Sequence, residues 1–227
     1  LINTGIYCFK KEAFSYINKT KLSPRGEYEL TDSLKMMMQD GKKVKWMPLG
    51  GKWLDIGRPW DLIDANMFFL DSVKHYLSPD SKISPDSRIS SPVYIDSFST
   101  IGSSEIIRPC LISSNVTIGN NSKIDSSVIR RSVKIGKNCL VENSVIMEGV
   151  KIGDNSVVSF SIVGENSEIG RNVTFESKSE DNIKVEIKGV LVDSNRKHLG
   201  SILGKNVKIK DNMAIKPGQK IESGTNV

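Results

Sequence analysis

The chain is poor in the residues that mark several classes of function. Its three cysteines, Cys8, Cys110 and Cys139, are scattered through 227 residues. An odd number with no close pair excludes a zinc knuckle or a dense disulfide framework and points to a reducing, cytoplasmic setting. No apolar run approaches the roughly 20 residues of a membrane span, so a soluble protein without a membrane partner is expected. Stacking aromatics are sparse at 7%, and although the formal charge is +6, the lysines come one or two per repeat instead of clustering among aromatics. That spacing describes a solvated surface, compatible with a phosphate-bearing ligand but not with nucleic acid. Residue 1 is Leu, directly ahead of a strand-like run over residues 2–9, with no signal peptide; the chain reads as a piece of a longer protein.

What the chain has in abundance is a repeat. From Ile83 an aliphatic residue recurs at 89, 95, 101, 107, 112, 118, 124, 129, 135, 141, 146, 152, 158, 163 and 169, followed by Phe175, and Ile-Gly falls at 101, 118, 135, 152 and 169, a period of 17. Steps of five or six residues fit neither a helix nor an ordinary strand, but they fit a prism-shaped coil with three short strands per turn. Gly, Asn and Asp make the corners, where φ turns positive. One coil cannot bury its own apolar face, whereas a stack of about seven can. The pattern breaks over residues 176–201, where Ile183-Lys-Val-Glu-Ile187, Gly189 and an apolar run over 190–192 describe a hairpin or arm, and it resumes at Leu203, Ile209, Ile215 and Ile221.

Ahead of the repeat, strands are expected over 2–9 and 44–48, a short helix over 11–18, a helix over 30–39 capped by Thr31 or a neighbour, and a helix over 59–76 with Pro59 in its first turn. Alternating strand and helix resembles the end of an α/β domain whose remaining strands lie upstream.

Three segments, Asn3-Thr-Gly-Ile-Tyr7, Ser23-Pro-Arg-Gly-Glu-Tyr-Glu-Leu-Thr-Asp32, and Trp53-Leu-Asp-Ile-Gly57 with Pro59-Trp-Asp-Leu62, resemble in order and spacing the sugar-1-phosphate nucleotidylyltransferases. The likeness is greatest to archaeal enzymes that join this domain to a hexapeptide β-helix and couple N-acetylglucosamine-1-phosphate uridylyl transfer with acetyl transfer. The resemblance implies an α/β fragment over residues 1–77, the C-terminal end of a nucleotidyltransferase domain, followed by a left-handed parallel β-helix over 78–227 with its arm at 176–201. It implies substrates too, a nucleoside triphosphate and a sugar 1-phosphate, giving a nucleotide sugar and pyrophosphate. Asn3 and Gly5 resemble the pair that contacts the sugar hydroxyls, Glu27 a second sugar contact, and Asp55 the carboxylate that helps bind catalytic Mg²⁺ across the phosphate oxygens. The family's Gly-rich nucleotide loop, base-reading residues and other metal-binding Asp match nothing here, so no catalytic residue is assigned and the fragment alone is expected to be inactive.

Acetyl transfer from acetyl-CoA needs a general base and an oxyanion donor. Where the similar enzymes carry a His on the coil before the arm, this chain has Asp154-Asn-Ser-Val-Val-Ser159, and where they carry an Asn it has Thr174-Phe-Glu-Ser-Lys178; the histidines are His75 and His198. The resemblance leaves Lys184, Arg196 and Lys197 as a basic edge for acetyl-CoA or phosphate. Three readings follow: a nucleotidylyltransferase with a structural β-helix, a bifunctional enzyme using acetyl-CoA, and a non-catalytic assembly module. Under each, rods of this kind pack as homo-oligomers, a trimer or a multiple of one.

Overall fold

The computed structural model describes residues 3–227, so Leu1 and Ile2, where the first expected strand begins, lie outside the described residues. The chain divides into two compact units, residues 1–54 and 55–227.

The first unit holds two helices, α1 (Ala13–Ile17) and α2 (Leu30–Gln39). They close on a small core of Ala13 and Tyr16, with a buried hydroxyl pair, Thr20 and Ser33, at 2.6 Å. Thr31 does not cap α2: the N-cap is Glu29, which makes no side-chain cap bond, and Thr31 lies inside the helix. The expected strands are not formed over 3–9 or 44–48. A strand exists only where a neighbour takes its backbone N–H and C=O groups, and among the described residues of this unit the sole such pairing is the bridge Leu22 to Tyr28. Trp46 and Met47 stay 77% and 86% exposed as a result.

The second unit is a parallel β-solenoid. Its three faces carry eight, seven and seven short strands, the first running from Tyr76–Leu77 to Lys220–Ile221, the second from Lys82–Ile83 to Lys208–Ile209, and the third from Arg88–Ile89 to Ala214–Ile215. Every strand pairs with the strand one coil on, so each aliphatic residue of the repeat stacks on its counterpart: Ile112 on Ile129, Ile118 on Ile135, Ile124 on Val141. These columns form one continuous core of almost completely buried Ile and Val. One position departs from the sequence pattern. Ile106, not Ile107, points inward and pairs with Ile89 and Ile124. Both residues are aliphatic, and only the backbone register, with its five-residue step taken one side earlier in this coil, distinguishes them.

Two kinds of corner column hold the coils together. Asn138, Asn155, Asn172 and Asn212 all adopt positive φ between 55° and 62°, where Asn is tolerated because its short polar side chain bonds locally. Each side-chain amide donates to the Oδ1 of the next, at 3.0, 3.1 and 2.8 Å. Inside the corners, buried serine hydroxyls accept one backbone N–H from the next coil and donate to a carbonyl. Ser144 Oγ accepts from the Ser161 N–H at 3.0 Å and donates to the Glu142 carbonyl at 2.6 Å. Cys139 occupies such a place, its N–H bonded to Ser122 Oγ and its thiol to the Gly153 carbonyl.

The outward positions of the three faces differ. On the second face they are Thr117, Lys134, Lys151, Glu168 and Lys208; on the first they are Leu111, Val128, Val145, Ile162 and Ile202. An apolar exterior on one face needs a cover. Two elements provide it: helix α3 (Asp61–Leu70), shorter than the expected 59–76, and the arm. Trp60 and Ile63 share one buried cluster with Val145, Ile162 and Ile202 of the face and with Ile183, Val185 and Leu199 of the arm. The arm is an antiparallel hairpin of Lys184–Ile187 and Val190–Asp193, turned at Lys188 and Gly189, both at positive φ as a two-residue hairpin loop of the primed type requires.

Replacing Asn155 by Val forces a β-branched residue into the left-handed region and cuts the amide column twice. Thermal or urea unfolding is expected to show a loss of about 1–3 kcal/mol, while Asn155→Gly, which keeps the backbone conformation, loses less.

Candidate functional site

The first segment, Asn3 to Tyr7, is a tight turn. Asn3 Oδ1 accepts the Gly5 N–H at 3.0 Å, its Nδ2 donates to the Tyr7 hydroxyl at 2.5 Å, and Gly5 takes φ +73°. Trp53 Nε1 donates to the Thr4 carbonyl at 3.1 Å, so the first and third segments meet although 49 residues separate them. The middle segment closes its own loop: Ser23 N–H to the Glu27 carbonyl at 2.9 Å, Gly26 N–H to the Ser23 carbonyl at 2.8 Å, and Arg25 paired with Glu29. The Glu27 side chain is left exposed on that loop. Thus Gly5 and Asn3 share one turn and Glu27 stands on another loop of the same unit. Asp55, exposed, opens the second unit just ahead of α3.

Among the described residues no group of three His, Cys, Asp or Glu side chains could hold a metal ion. Magnesium keeps several waters and is bound by one or two carboxylates together with substrate phosphates. The exposed Asp55 carboxylate has the chemistry for one place in such a shell.

At the arm, Lys178, Lys184, Lys197 and Lys216 line an open groove of about 970 Å³ with Ile183 and Pro217, which Glu176, Glu180 and Asp181 also border. Lys184 and Lys197 are therefore brought together. Arg196 is not among the lining residues; its guanidinium is bonded to the Asp64 carboxylate of α3. Sequence reasoning missed this pair because its members stand 132 residues apart. It also missed Lys178 and Lys216, which only the return of the arm to the solenoid brings to the groove.

The segment from Asp154 to Ser159 is occupied with structure. Asp154 Oδ1 accepts the Lys137 N–H at 2.7 Å, Asn155 and Ser156 belong to the corner columns, and Ser159 Oγ donates to Glu142 at 2.8 Å. His198 lies exposed with its ring 5.5 Å from that of Phe160. Burial disfavours the thiolate form of two cysteines. Burial pushes Cys110 up to about 12 and raises Cys139 as well, so both stay protonated at neutral pH, and the thiolate is the reactive form.

The GMPPB C-terminal domain pattern matches residues 106–222. The chain belongs to the GMPPB C-terminal domain family. The match covers the solenoid from residue 106 to residue 222 together with its arm, and the Nucleotidyl transferase pattern matches residues 1–72, which include all three segments just described and α3. Among curated relatives, the Bifunctional protein GlmU of Methanocaldococcus jannaschii is 52% identical over 73 residues, 32% of this chain and 18% of that protein. The bifunctional sugar-1-phosphate nucleotidylyltransferase/acetyltransferase of Sulfurisphaera tokodaii is 45% identical over 73 residues, again 32% and 18%. The Bifunctional protein GlmU of Methanococcus aeolicus is 39% identical over 101 residues, 44% and 24%. The chain thus matches less than a quarter of the length of these relatives. A solved hexapeptide transferase family protein from Anaplasma phagocytophilum aligns with 64% of this chain and 72% of its own at 14% identity, with a TM-score of 0.34. Among the described residues no helix is long and apolar enough to cross a membrane.

Thiol-specific alkylation at pH 8 is expected to modify exposed Cys8 and to spare Cys110 and Cys139 until the GMPPB C-terminal domain is unfolded. Peptide mass mapping with and without denaturant checks this.

Proposed function

We propose that this chain is the C-terminal portion of a sugar-1-phosphate nucleotidylyltransferase, which joins a nucleoside triphosphate to a sugar 1-phosphate and releases pyrophosphate. In this reading residues 1–77 close the nucleotidyltransferase domain and 78–227 are its β-helix. The observation that carries it is the turn at Asn3 and Gly5 held by Trp53, which brings the first family segment to the residue that opens the third. Asn3, Gly5 and Glu27 contact the sugar, an arrangement in which Gly5 keeps a side chain out of the approach of ligand to backbone. Asp55 would hold one place on a Mg²⁺ ion shared with the substrate phosphates. When bound, the ion supplies neutralisation of phosphate charge; the work of the residues named here is to hold and orient the sugar phosphate. Exposed side chains such as Ile6, Tyr28, Trp46 and Met47 are the surface that the remaining strands of an α/β domain cover.

In the full-length protein, Asp55→Ala is expected to lower pyrophosphate release by at least about a hundredfold for whichever pair among UTP, dTTP and GTP with glucose, N-acetylglucosamine or mannose 1-phosphate supports turnover. No turnover by the wild type with any pair would sink the reading.

The lysine-lined groove favours a second reading, a β-helix that also receives acetyl-CoA through its phosphates at Lys184 and Lys197. Arg196, bonded to Asp64, is left out of that set. With no imidazole on the segment from Asp154 to Ser159, binding without transfer is the expected outcome. Acetyl-CoA should bind in a salt-sensitive manner, more weakly to a Lys184→Glu, Lys197→Glu double variant, and no free thiol should appear when an amino-sugar 1-phosphate is added. The β-helix is further proposed to carry a homo-oligomeric, cytoplasmic assembly.

A further inference from the structure

Helix α3 lies within the stretch that matches the Nucleotidyl transferase family, yet its apolar side is buried against the solenoid and the arm. Trp60 and Ile63 are 4% and 3% exposed, and the arm residues Val185 and Leu199 that share their cluster are fully buried. Apolar burial of this kind gives adhesion without direction, and a helix seated by it alone can slide or rotate. Direction comes from Arg196. Its backbone is fixed, the carbonyl accepting the Ile183 N–H at 2.8 Å and the N–H bonded to Ser194 Oγ at 3.3 Å. Its side chain, 21% exposed, ends on the Asp64 carboxylate in the first turn of α3. A planar guanidinium with fixed donors is suited to such a directional contact. At the start of the helix the Asp61 carboxylate accepts the Arg58 N–H at 2.7 Å, and turn bonds run from Asp61 to Arg58 and from Leu62 to Pro59. Only Ile56 and Gly57 then separate this locked turn from Asp55.

We infer that the arm is a positioning device for nucleotidyl transfer: Arg196, acting through Asp64 and α3, sets where Asp55 stands. Arg196 is a positioning residue and touches no substrate. The inference rests on the nucleotidylyltransferase reading above. It assigns to the arm an action on the nucleotidyl site that needs no ligand in the lysine groove, and it gives Arg196 a role different from that of its neighbour Lys197.

The test uses the full-length protein with Arg196→Gln, Asp64→Asn and Arg196→Lys, measuring pyrophosphate release against Mg²⁺ concentration and, independently of turnover, Mg²⁺ binding by calorimetry and the melting temperature. Both neutral variants are expected to lower kcat by about tenfold and to raise the Mg²⁺ concentration for half-maximal rate by about tenfold, with the KM for sugar 1-phosphate unchanged. Arg196→Lys, which keeps a charge on Asp64, should recover part of both losses. A purely structural role would move the melting temperature and leave the Mg²⁺ midpoint alone. An unchanged midpoint and kcat in both neutral variants, beside an active wild type, would overturn the inference and leave the parent reading standing. An inactive wild type would instead remove the parent reading, and this one with it.

Discussion

Everything in the second unit depends on the backbone of one coil finding its partner in the next at a fixed register. A strand of two or three residues has no stability of its own. Here more than twenty such strands are stable because every one inside a face is paired on both sides and because the pairing stacks apolar residue on apolar residue, Ile and Val above all, down three columns. The serine and asparagine columns follow from the same register. A hydroxyl at Ser144 reaches the N–H of Ser161, and an amide at Asn138 reaches Asn155, because the coil places like on like. The register also helps two corner residues hold φ values that a free chain avoids: at Asn155 and Asn172 the cost of the left-handed conformation is offset by amide bonds to the neighbours above and below.

The same constraint accounts for what could be seen in the sequence and what could not. A column of inward residues shows up as a period, so the solenoid, its corners and the place of the arm were legible from Ile-Gly recurring every 17 residues. Ile106 and Ile107 could not be told apart because hydrophobicity is their only signal, and pairing decides between them. The expected strands are not formed over 3–9 and 44–48 for the opposite reason: their strand-like composition is visible, but among the described residues of this unit nothing pairs with them. The candidate site residues were named only through resemblance. Asn3 and Gly5 fall in one turn as their spacing suggests, whereas the contact of Arg196 with Asp64, made across 132 residues, leaves no local mark. One signal was present and unread: the outward neighbours of the core residues are Val, Val, Ile and Ile at 128, 145, 162 and 202 but Lys, Lys, Glu and Lys at 134, 151, 168 and 208. A second apolar row on a single face announces that something lies over it.

That asymmetry divides the labour of the solenoid. The second face, with Lys151, Glu168 and Lys208 joined in an exposed ion-pair row, meets solvent. The first face, around Val145, Ile162 and Ile202, is an interior surface closed by α3 and the arm, and it is where a piece of the nucleotidyltransferase pattern and a piece of the GMPPB C-terminal domain share one hydrophobic cluster. The boundary between the two sequence families is therefore not a boundary in packing.

The asparagine column crosses the arm without interruption: Asn155 to Asn172 spans 17 residues, and Asn172 to Asn212 spans 40, with the amide bond no longer in the second case than in the first. A solenoid of this kind measures position by coil and not by residue, so a loop of any length that leaves and returns at one corner costs the stack little beyond its own closure. Such a scaffold can gain, lose or exchange an appendage over evolutionary time while the rod beneath it stays the same, and its family can vary in what it carries without varying in what carries it.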